Sequence, residues 1–324
     1  MNGTTSRSTG LPGDLPGRVE SADANHLADA TDAAFVRDDS YAVVPSLHTA
    51  PTPVGPIALQ RLRRLLTERE LAVLASVDRF RLLTAAQIEQ LHFFGHASSE
   101  TAARIRRRVL ERLVAAGMLQ RLDRRIGGVR AGSVGYVYRI APLGYRLVHD
   151  EARISGRAKE PGAVFLEHTL EVAKIAIDLV VAERKLHQES TEDWRFEMTT
   201  LQPEPECWRQ FQKGLSGIEV LKPDLFVAIG LGDYEDRWFC EVDRGTESTM
   251  AVLRKCQVYA DYFRTDIEQQ KFEVFPKVLW IVLTEHRRSL IENAIAKQPK
   301  FRALELFVVV TAGDALSTLI GGAL

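Results

Sequence analysis

Short strand-like runs, each about the length of one β-strand, recur through the second half of the chain and alternate with helical segments. The runs read DWRFEMTT, KPDLFVAI, RWFCEVDR, KVLWIVLT and LELFVVVT. The segments with helical spacing read FLEHTLEVAKIAIDLVVAERKLHQ, STMAVLRKCQVYADYF and RSLIENAIAKQ. The resulting order, α-β-β-β-α-β-α-β, predicts a mixed sheet with helices packed on its faces. Residues 151–324 are therefore expected to form an α/β domain, in a chain that is α+β overall.

Residues 57–150 have a different pattern, in which three helices precede a β-hairpin. The predicted ends of these helices are the N-caps Thr67, Thr84 and Ser98 or Ser99, and the C-terminal glycine Gly117. The hairpin is predicted from MLQRLDRR and YVYRI, which flank the glycine-rich stretch GGVRAGSVG. This order is typical of a winged helix-turn-helix, whose third helix enters the major groove of DNA.

Arginine dominates the charge of the same segment. Residues 57–150 contain 17 arginines, no lysine and 8 acidic residues, a net charge of +9 in a chain whose total is −1. A basic block of this kind indicates a module that contacts nucleic acid, although an arginine-rich helix can also be a solvated face. The expected DNA-contacting residues on the third helix and the wing are Arg104, Arg106, Arg107, Arg108, Arg112, Arg121, Arg124, Arg125 and Arg130.

The remaining composition bounds the class of protein. Residues 1–56 are rich in Gly, Pro, Ser, Thr, Asp and Ala and are predicted to be a disordered leader. No apolar run reaches the 18 residues of a membrane span, and the first residues do not have the pattern of a secretory signal. The three cysteines form no CxxC pair, which favours a reducing, cytoplasmic setting.

Acidic residues cluster where two of the predicted strands end or begin. Glu241 and Asp243 lie two apart in FCEVDRGTES and therefore share one face of a strand, and Lys222 and Asp224 share a face of the preceding strand. If the two strands pair, Asp224, Glu241 and Asp243 converge and suit Mg²⁺ or Mn²⁺. The alternative is that Asp224 only begins a strand and Asp243, Thr246 and Glu247 cap the next helix.

The chain also resembles known families at these residues. Asp224 in KPDLFV and Glu241 in FCEVD, after a helix that contains Glu167 and Glu171, resemble the core of PD-(D/E)XK nucleases. Together with the arginine-rich winged helix, EVDRGTE and LRKCQVYADYF, they resemble the plasmid replication-relaxation protein family over about residues 60–310. The resemblance implies a protein that acts on plasmid or other mobile-element DNA.

The sequence departs from the nuclease pattern at one position. That pattern has a lysine where Asp243 stands, so Lys222 or Lys255 is expected to supply the missing amine. An aspartate at this position is equally compatible with a nuclease fold that no longer cleaves DNA.

Other candidate groups are weaker. His92 and His96 have the spacing of a helical metal pair, but Gly95 between them favours a turn. Tyr259 and Tyr262 are expected to pack in the core.

Two functions follow from these observations. The first is a replication-relaxation or mobilisation factor that binds double-stranded DNA and cuts it as a Mg²⁺- or Mn²⁺-dependent endonuclease or nickase. In this function Asp224, Glu241 and Asp243 bind the metal, and Lys222 or Lys255 provides the amine. The alternative is a non-catalytic regulator or assembly platform on an inactivated nuclease fold. Other replication or mobilisation proteins are expected partners, and a homodimer is left open.

Overall fold

Capped helices and a short antiparallel sheet make up the N-terminal part of the structure, a computed structural model that describes residues 54–96, 98–125, 135–149, 163–189, 196–214, 217–232 and 234–321. The elements of this part are α1 (Pro56–Leu65), α2 (Glu68–Arg79), β1 (Leu83–Thr84), α3 (Ala85–His92), α4 (Ser99–Ala115), β2 (Leu119–Arg125), β3 (Tyr136–Ile140) and α5 (Pro142–His149). The predicted disordered leader lies outside the described residues except for its last three, and the predicted hairpin tip at 127–135 lies outside them except for Gly135.

The predicted helix caps are confirmed. Thr67 and Thr84 each accept a hydrogen bond from the backbone three residues on, and Glu70 and Gln87 return the bond to complete two capping boxes. Ser98 caps α4. These local signals fix where α2, α3 and α4 begin.

The short sheet holds the three helices together. Its strand order is β1-β3-β2 with antiparallel pairing throughout, so β2 and β3 form the predicted hairpin and β1 joins it from between the helices. Val109 and Leu113 of α4 are buried beneath it, and Ile105 and Val114 are partly buried beside them. The apolar face predicted for α4 is confirmed, and Arg104, Arg107 and Arg108 are exposed away from it.

The C-terminal part is built on a larger sheet. Its elements are α6 (Ala163–Glu189), β4 (Phe196–Pro203), β5 (Arg209–Gln212), β6 (Ile218–Leu221), β7 (Leu225–Leu231), β8 (Tyr234–Asp243), α7 (Thr249–Phe263), α8 (Ile267–Phe272), β9 (Lys277–Val282), α9 (Glu285–Ala296), α10 (Pro299–Arg302), β10 (Phe307–Thr311) and α11 (Ala315–Leu319). The β5–β6 hairpin was not predicted from the sequence, because neither strand is a continuous apolar run.

The larger sheet is mixed, as predicted. Its strand order is β10-β9-β8-β7-β4, in which β4, β7 and β8 are antiparallel neighbours and β8, β9 and β10 run parallel. Alternate residues of each strand face opposite layers. On β8, Cys240 and Val242 join the core that includes α6, whereas Phe239 joins the core that includes α7. The predicted class, an α/β sheet covered by helices, is confirmed.

The two parts also contact each other directly. Gln87 of α3 donates a hydrogen bond of 2.9 Å to the Leu170 carbonyl of α6, and Arg81 forms an ion pair of 2.8 Å with Glu204. The predicted boundary between residues 150 and 151 falls in a stretch outside the described residues and stays a prediction. Within the described ranges, no helix is both long and apolar enough to cross a membrane.

Candidate active site

Pairing of β7 with β8 brings Asp224 and Glu241 together. The register places Leu225 opposite Cys240, so Asp224 comes one step before β7, opposite the end of β8. The Asp224 amide donates to the Cys240 carbonyl at 3.1 Å, and the Asp224 Oδ2 accepts from the Val242 amide at 2.7 Å. Asp224 therefore bonds to the backbone on both sides of Glu241, as the sequence predicted for paired strands.

Glu241 is a nearly inaccessible carboxylate whose two oxygens both have partners. The residue is 1% exposed. Its Oε1 accepts a hydrogen bond of 2.7 Å from the Tyr259 hydroxyl, and its Oε2 lies 3.1 Å from the Lys255 ammonium. Burial and the neighbouring charge of Asp224 raise the pKa of Glu241 to about 7, against the opposing effects of Lys255 and Tyr259. Additional positive charge would favour its ionised form.

The nuclease pattern has a lysine at the position of Asp243, and in this structure Lys255 brings an amine to the carboxylates instead. It lies on α7, the helix that follows β8, and its ammonium contacts Glu241 and Glu247 at 3.1 Å each. Burial lowers the pKa of Lys255, but the charges of Glu241, Asp224 and Glu247 outweigh that effect and raise it overall. Lys255 is thus held as a cation beside both carboxylates of the pair.

His168 completes the surroundings of Asp224 from α6. Its Nε2 lies 3.1 Å from the Asp224 Oδ1. The hydrogen bond to Asp224 raises the pKa of His168, although burial opposes it. The sequence directed attention to the acidic neighbour Glu167, which instead forms an ion pair of 2.8 Å with Arg244.

Asp243 is held away from the pair by an arginine. The Arg287 side chain of α9 donates to Asp243 Oδ1 at 3.1 Å and to Oδ2 at 2.6 Å. The same guanidinium donates to the Glu247 carbonyl at 2.7 Å, and the Gly245 amide donates to Asp243 Oδ1 at 2.5 Å. The side chain of Asp243 is 1% exposed. These contacts make Asp243 an anchor for the β8–α7 turn.

Lys222 does not join the cluster. The residue is exposed, and its ammonium lies 4.7 Å from the centroid of the Trp208 ring. Of the two lysines proposed from the sequence, the structure brings only Lys255 to the carboxylates.

The capping interpretation of the acidic cluster is not supported by the geometry. Ser248 caps α7 by accepting a hydrogen bond from the Ala251 amide. Glu247 instead pairs with Lys255, and Asp224 pairs with His168. The acidic residues therefore bind side chains at the end of the sheet.

A pocket opens beside this cluster. Its volume is about 590 Å³. It is lined by three apolar residues and six polar or charged ones: Val164, Phe165, Val242, His168, Asp243, Arg244, Thr246, Glu247 and Lys255. The pocket thus connects the beginning of α6 to the beginning of α7, across the end of β8.

The donor atoms fit a metal held by two carboxylates. Within the described part of the chain, no group of three or more His, Cys, Asp and Glu side chains has the spacing of a metal site. Magnesium, however, takes one or two protein carboxylates and completes its octahedron with water and phosphate oxygens. Asp224 and Glu241 are two such carboxylates, although their oxygens already bond to His168, Val242, Tyr259 and Lys255 in this structure. The Arg287 guanidinium binds both oxygens of Asp243, so Asp243 is the predicted metal ligand that the geometry supports least.

The arginines proposed to contact DNA divide into two groups. Arg104, Arg107, Arg108 and Arg121 are exposed, and the Arg121 guanidinium lies 4.3 Å from the centroid of the Tyr136 ring. Arg106 and Arg112 are half-buried and pair with Glu89 and Glu70, respectively. Arg124 and Arg125 belong to β2, but their side chains, like the whole of Arg130, lie outside the described residues.

Sequence reasoning missed the role of three residues. Arg287 reaches the site from a helix far away in the chain, and no local pattern marks it. His168 adjoins Glu167 on the helix that the resemblance singled out, but its bond to Asp224 was not foreseen. Tyr259 was assigned to the core, which is confirmed by its full burial. Its hydroxyl bond to Glu241 was not foreseen, although a buried tyrosine almost three turns into the helix after an acidic strand end is a usable signal.

Comparison with known proteins places the chain in a family. No curated protein matches it. Among solved structures, the restriction endonuclease FokI bound to DNA aligns with 11% identity and a TM-score of 0.25, over 83% of this chain and about half (51%) of that one. A TM-score this low does not establish a common fold. The family model described as "Replication-relaxation" matches residues 74–278, from α2 to β9, a range that includes His168, Asp224, Glu241 and Lys255 but not Arg287. The chain therefore belongs to the replication-relaxation family.

Proposed function

We propose that this chain is a DNA-binding protein whose α/β part nicks or cuts a DNA strand with the help of a divalent metal. The observation that carries the proposal is the convergence of Asp224 and Glu241 with the ammonium of Lys255. Its substrate would be plasmid or other mobile-element DNA.

Each side chain of the site has a separate task in this proposal. Asp224 and Glu241 would hold Mg²⁺ or Mn²⁺, which when bound supplies Lewis-acid activation of a phosphodiester and of the attacking water. The Lys255 ammonium lines the pocket and would stabilise negative charge that develops on the phosphate. His168 would orient Asp224 through its bond to Oδ1, and Tyr259 would orient Glu241 through its bond to Oε1.

The N-terminal part would bring the site to duplex DNA. The order α2-β1-α3-α4-β2-β3 and the sheet β1-β3-β2 support a winged helix. In that arrangement α4 would enter the major groove and present Arg104, Arg107 and Arg108. Protein partners, a homodimer and the cytoplasmic location stay predictions.

Cleavage of supercoiled plasmid tests the proposal. The wild-type protein with Mg²⁺ or Mn²⁺ is expected to produce nicked or linear plasmid, and EDTA should stop the reaction. Asp224→Asn and Glu241→Gln should each abolish cleavage because they remove a charged ligand without changing side-chain size. Asp178→Asn is the matched control, since Asp178 lies on α6 but pairs only with the partly exposed Lys174. Equal cleavage by the wild type, Asp224→Asn, Glu241→Gln and Asp178→Asn would contradict the proposal.

A second function is favoured by a specific feature of the same site. Lys255, His168 and Arg287 already provide positive charge to Glu241, Asp224 and Asp243. A site neutralised in this way can serve as a rigid framework in a non-catalytic DNA-binding protein. In that case the wild type would not cleave plasmid, and the wild type, Asp224→Asn and Glu241→Gln would bind DNA with equal, salt-sensitive affinity.

A further inference from the structure

The pocket beside the carboxylate pair has an apolar wall that is open to solvent. Val164 and Phe165 begin α6 with 61% and 44% of their surfaces exposed, and both line the pocket together with Val242 of β8. Phenylalanine and valine are among the residue types most often fully buried, and here two of them line an open pocket side by side. An aromatic ring in such a lining offers a flat apolar face on which the ring of a ligand can stack.

The opposite wall is polar and reaches the candidate active site. His168 and Lys255 line the pocket and also bond to Asp224 and Glu241, respectively. A phosphate at Lys255 would therefore place the adjoining nucleoside beside the apolar wall. Arg244, which pairs with Glu167, and Thr246 line the same pocket, as do the acidic residues Asp243 and Glu247.

Paired DNA cannot use such a wall, because the faces of its bases are covered by stacking within the duplex. An unpaired base can be turned outward, stacked on an aromatic side chain and enclosed by apolar neighbours. A volume of about 590 Å³ lies within the range of pockets that enclose small ligands.

We propose that this pocket binds an unpaired nucleotide next to the phosphate at Lys255, with its base stacked on Phe165. The substrate of the site is then DNA that carries a single-stranded or extruded nucleotide, rather than uniformly paired duplex. This inference rests on the proposed function, since it takes the phosphate at Lys255 to belong to the DNA that the site would cut.

Binding of labelled DNA in EDTA tests the inference without any cleavage. The probes are a paired 30-mer duplex, the same duplex with a three-nucleotide bulge, and the same bulge with abasic nucleotides. The abasic bulge retains the phosphates and the flexibility but removes the bases. Fluorescence anisotropy would measure the Kd of each probe for the wild-type chain, Phe165→Ala, Phe165→Trp and the matched control Leu290→Ala. Leu290 is 43% exposed on α9 and does not line the pocket.

The wild-type chain should bind the bulge about tenfold more tightly than the paired or the abasic probe, which is the order of one stacked base. Phe165→Ala should lose this preference while retaining its affinity for paired duplex. Phe165→Trp and Leu290→Ala should keep the preference. Circular dichroism melting of all variants establishes that each is folded.

Three results would overturn the inference. They are equal binding of bulged and paired DNA by wild type, equal binding of the bulge and its abasic form, or an unchanged preference in Phe165→Ala. The test is independent of catalysis. If the wild type prefers the bulge because of its bases but does not cleave plasmid, the nucleotide pocket is supported and the nuclease proposal fails. If it cleaves plasmid without that preference, the nuclease proposal is supported and the nucleotide pocket fails.

Discussion

The ammonium of Lys255 on α7 lies 3.1 Å from the Oε2 of Glu241 on β8, although the two residues are 14 positions apart. The nuclease pattern has its lysine two residues after the glutamate, where this chain has Asp243. Here the helix that follows the strand returns an amine to the same carboxylate. Two carboxylates and an amine are thus neighbours in this structure, and the amine comes from a later position in the sequence than the nuclease pattern gives it.

Replacing Lys255 by methionine should separate catalysis from binding. Methionine keeps most of the volume of the side chain and removes its charge, so plasmid cleavage should fall by about 10²-fold while DNA affinity changes little. Single-turnover cleavage and anisotropy on the same DNA measure the two effects. Lys174→Met, on α6, should change neither. A Lys255→Met protein that cleaves at the wild-type rate would show that the relocated amine has no role.

Asp243 should be required for stability and not for metal binding. Arg287→Met leaves the carboxylate of Asp243 buried without its partner, which should lower the free energy of unfolding by about 3–5 kcal/mol. Adding Asp243→Asn should recover much of that loss, because no buried charge then remains. Urea unfolding measures the free energy of unfolding of the wild type, of Arg287→Met and of the double variant Arg287→Met/Asp243→Asn. If the single variant and the double variant are equally unstable, the ion pair is not the cause.

Arginines of α4 should contribute to DNA affinity in two different ways. Arg104 and Arg107 are exposed. Replacing each by alanine should weaken duplex binding and reduce the slope of log K against log salt by about 1 per residue. Arg112 pairs with the buried Glu70, so Arg112→Ala should mainly reduce stability. Arg288→Ala on α9 serves as the control for the salt titration. An unchanged slope in the double variant Arg104→Ala/Arg107→Ala would exclude α4 from the DNA interface.

His92 should make stability depend on pH. Burial, together with the charges of Arg184 and Arg69, lowers the pKa of His92 to about 4. In the unfolded chain the pKa of His92 is near 6.5, so the unfolded state binds the proton more readily. The contribution of neutral His92 to stability is therefore complete above pH 6.5 and is lost as the pH falls towards 4. The loss amounts to about 3 kcal/mol at most.

Urea unfolding between pH 7.5 and pH 5 measures this dependence. His92→Gln should have a flatter profile than wild type over that interval. His286→Gln, which changes an exposed histidine of α9, should follow the wild-type profile. Parallel profiles for wild type and His92→Gln would assign the pH dependence to other groups.

Local signals in the sequence predicted much of the fold. Thr67, Thr84 and Ser98 mark helix starts because a side-chain oxygen satisfies backbone donors only at those positions. Strand-like runs predicted the five strands of the larger sheet, most clearly where helices cover both of its faces. The β5–β6 hairpin lacks such a run and escaped prediction.

The site was predictable only where it depends on strand pairing. Asp224 and Glu241 converge because neighbouring strands fix their separation. Lys222 precedes β7 rather than belonging to it, and its ammonium lies beside the ring of Trp208, whereas Arg287 reaches Asp243 from another helix. Contacts between distant helices depend on packing that no short motif encodes.

The most direct test of the central claim is the binding of Mn²⁺, followed by the electron paramagnetic resonance signal of the free ion. The account predicts that the wild-type chain, Asp178→Asn and Asp243→Asn bind Mn²⁺, whereas Asp224→Asn and Glu241→Gln lose that binding with their folds intact. Unchanged Mn²⁺ binding in both Asp224→Asn and Glu241→Gln would contradict the account, because the two carboxylates would then not be the metal ligands.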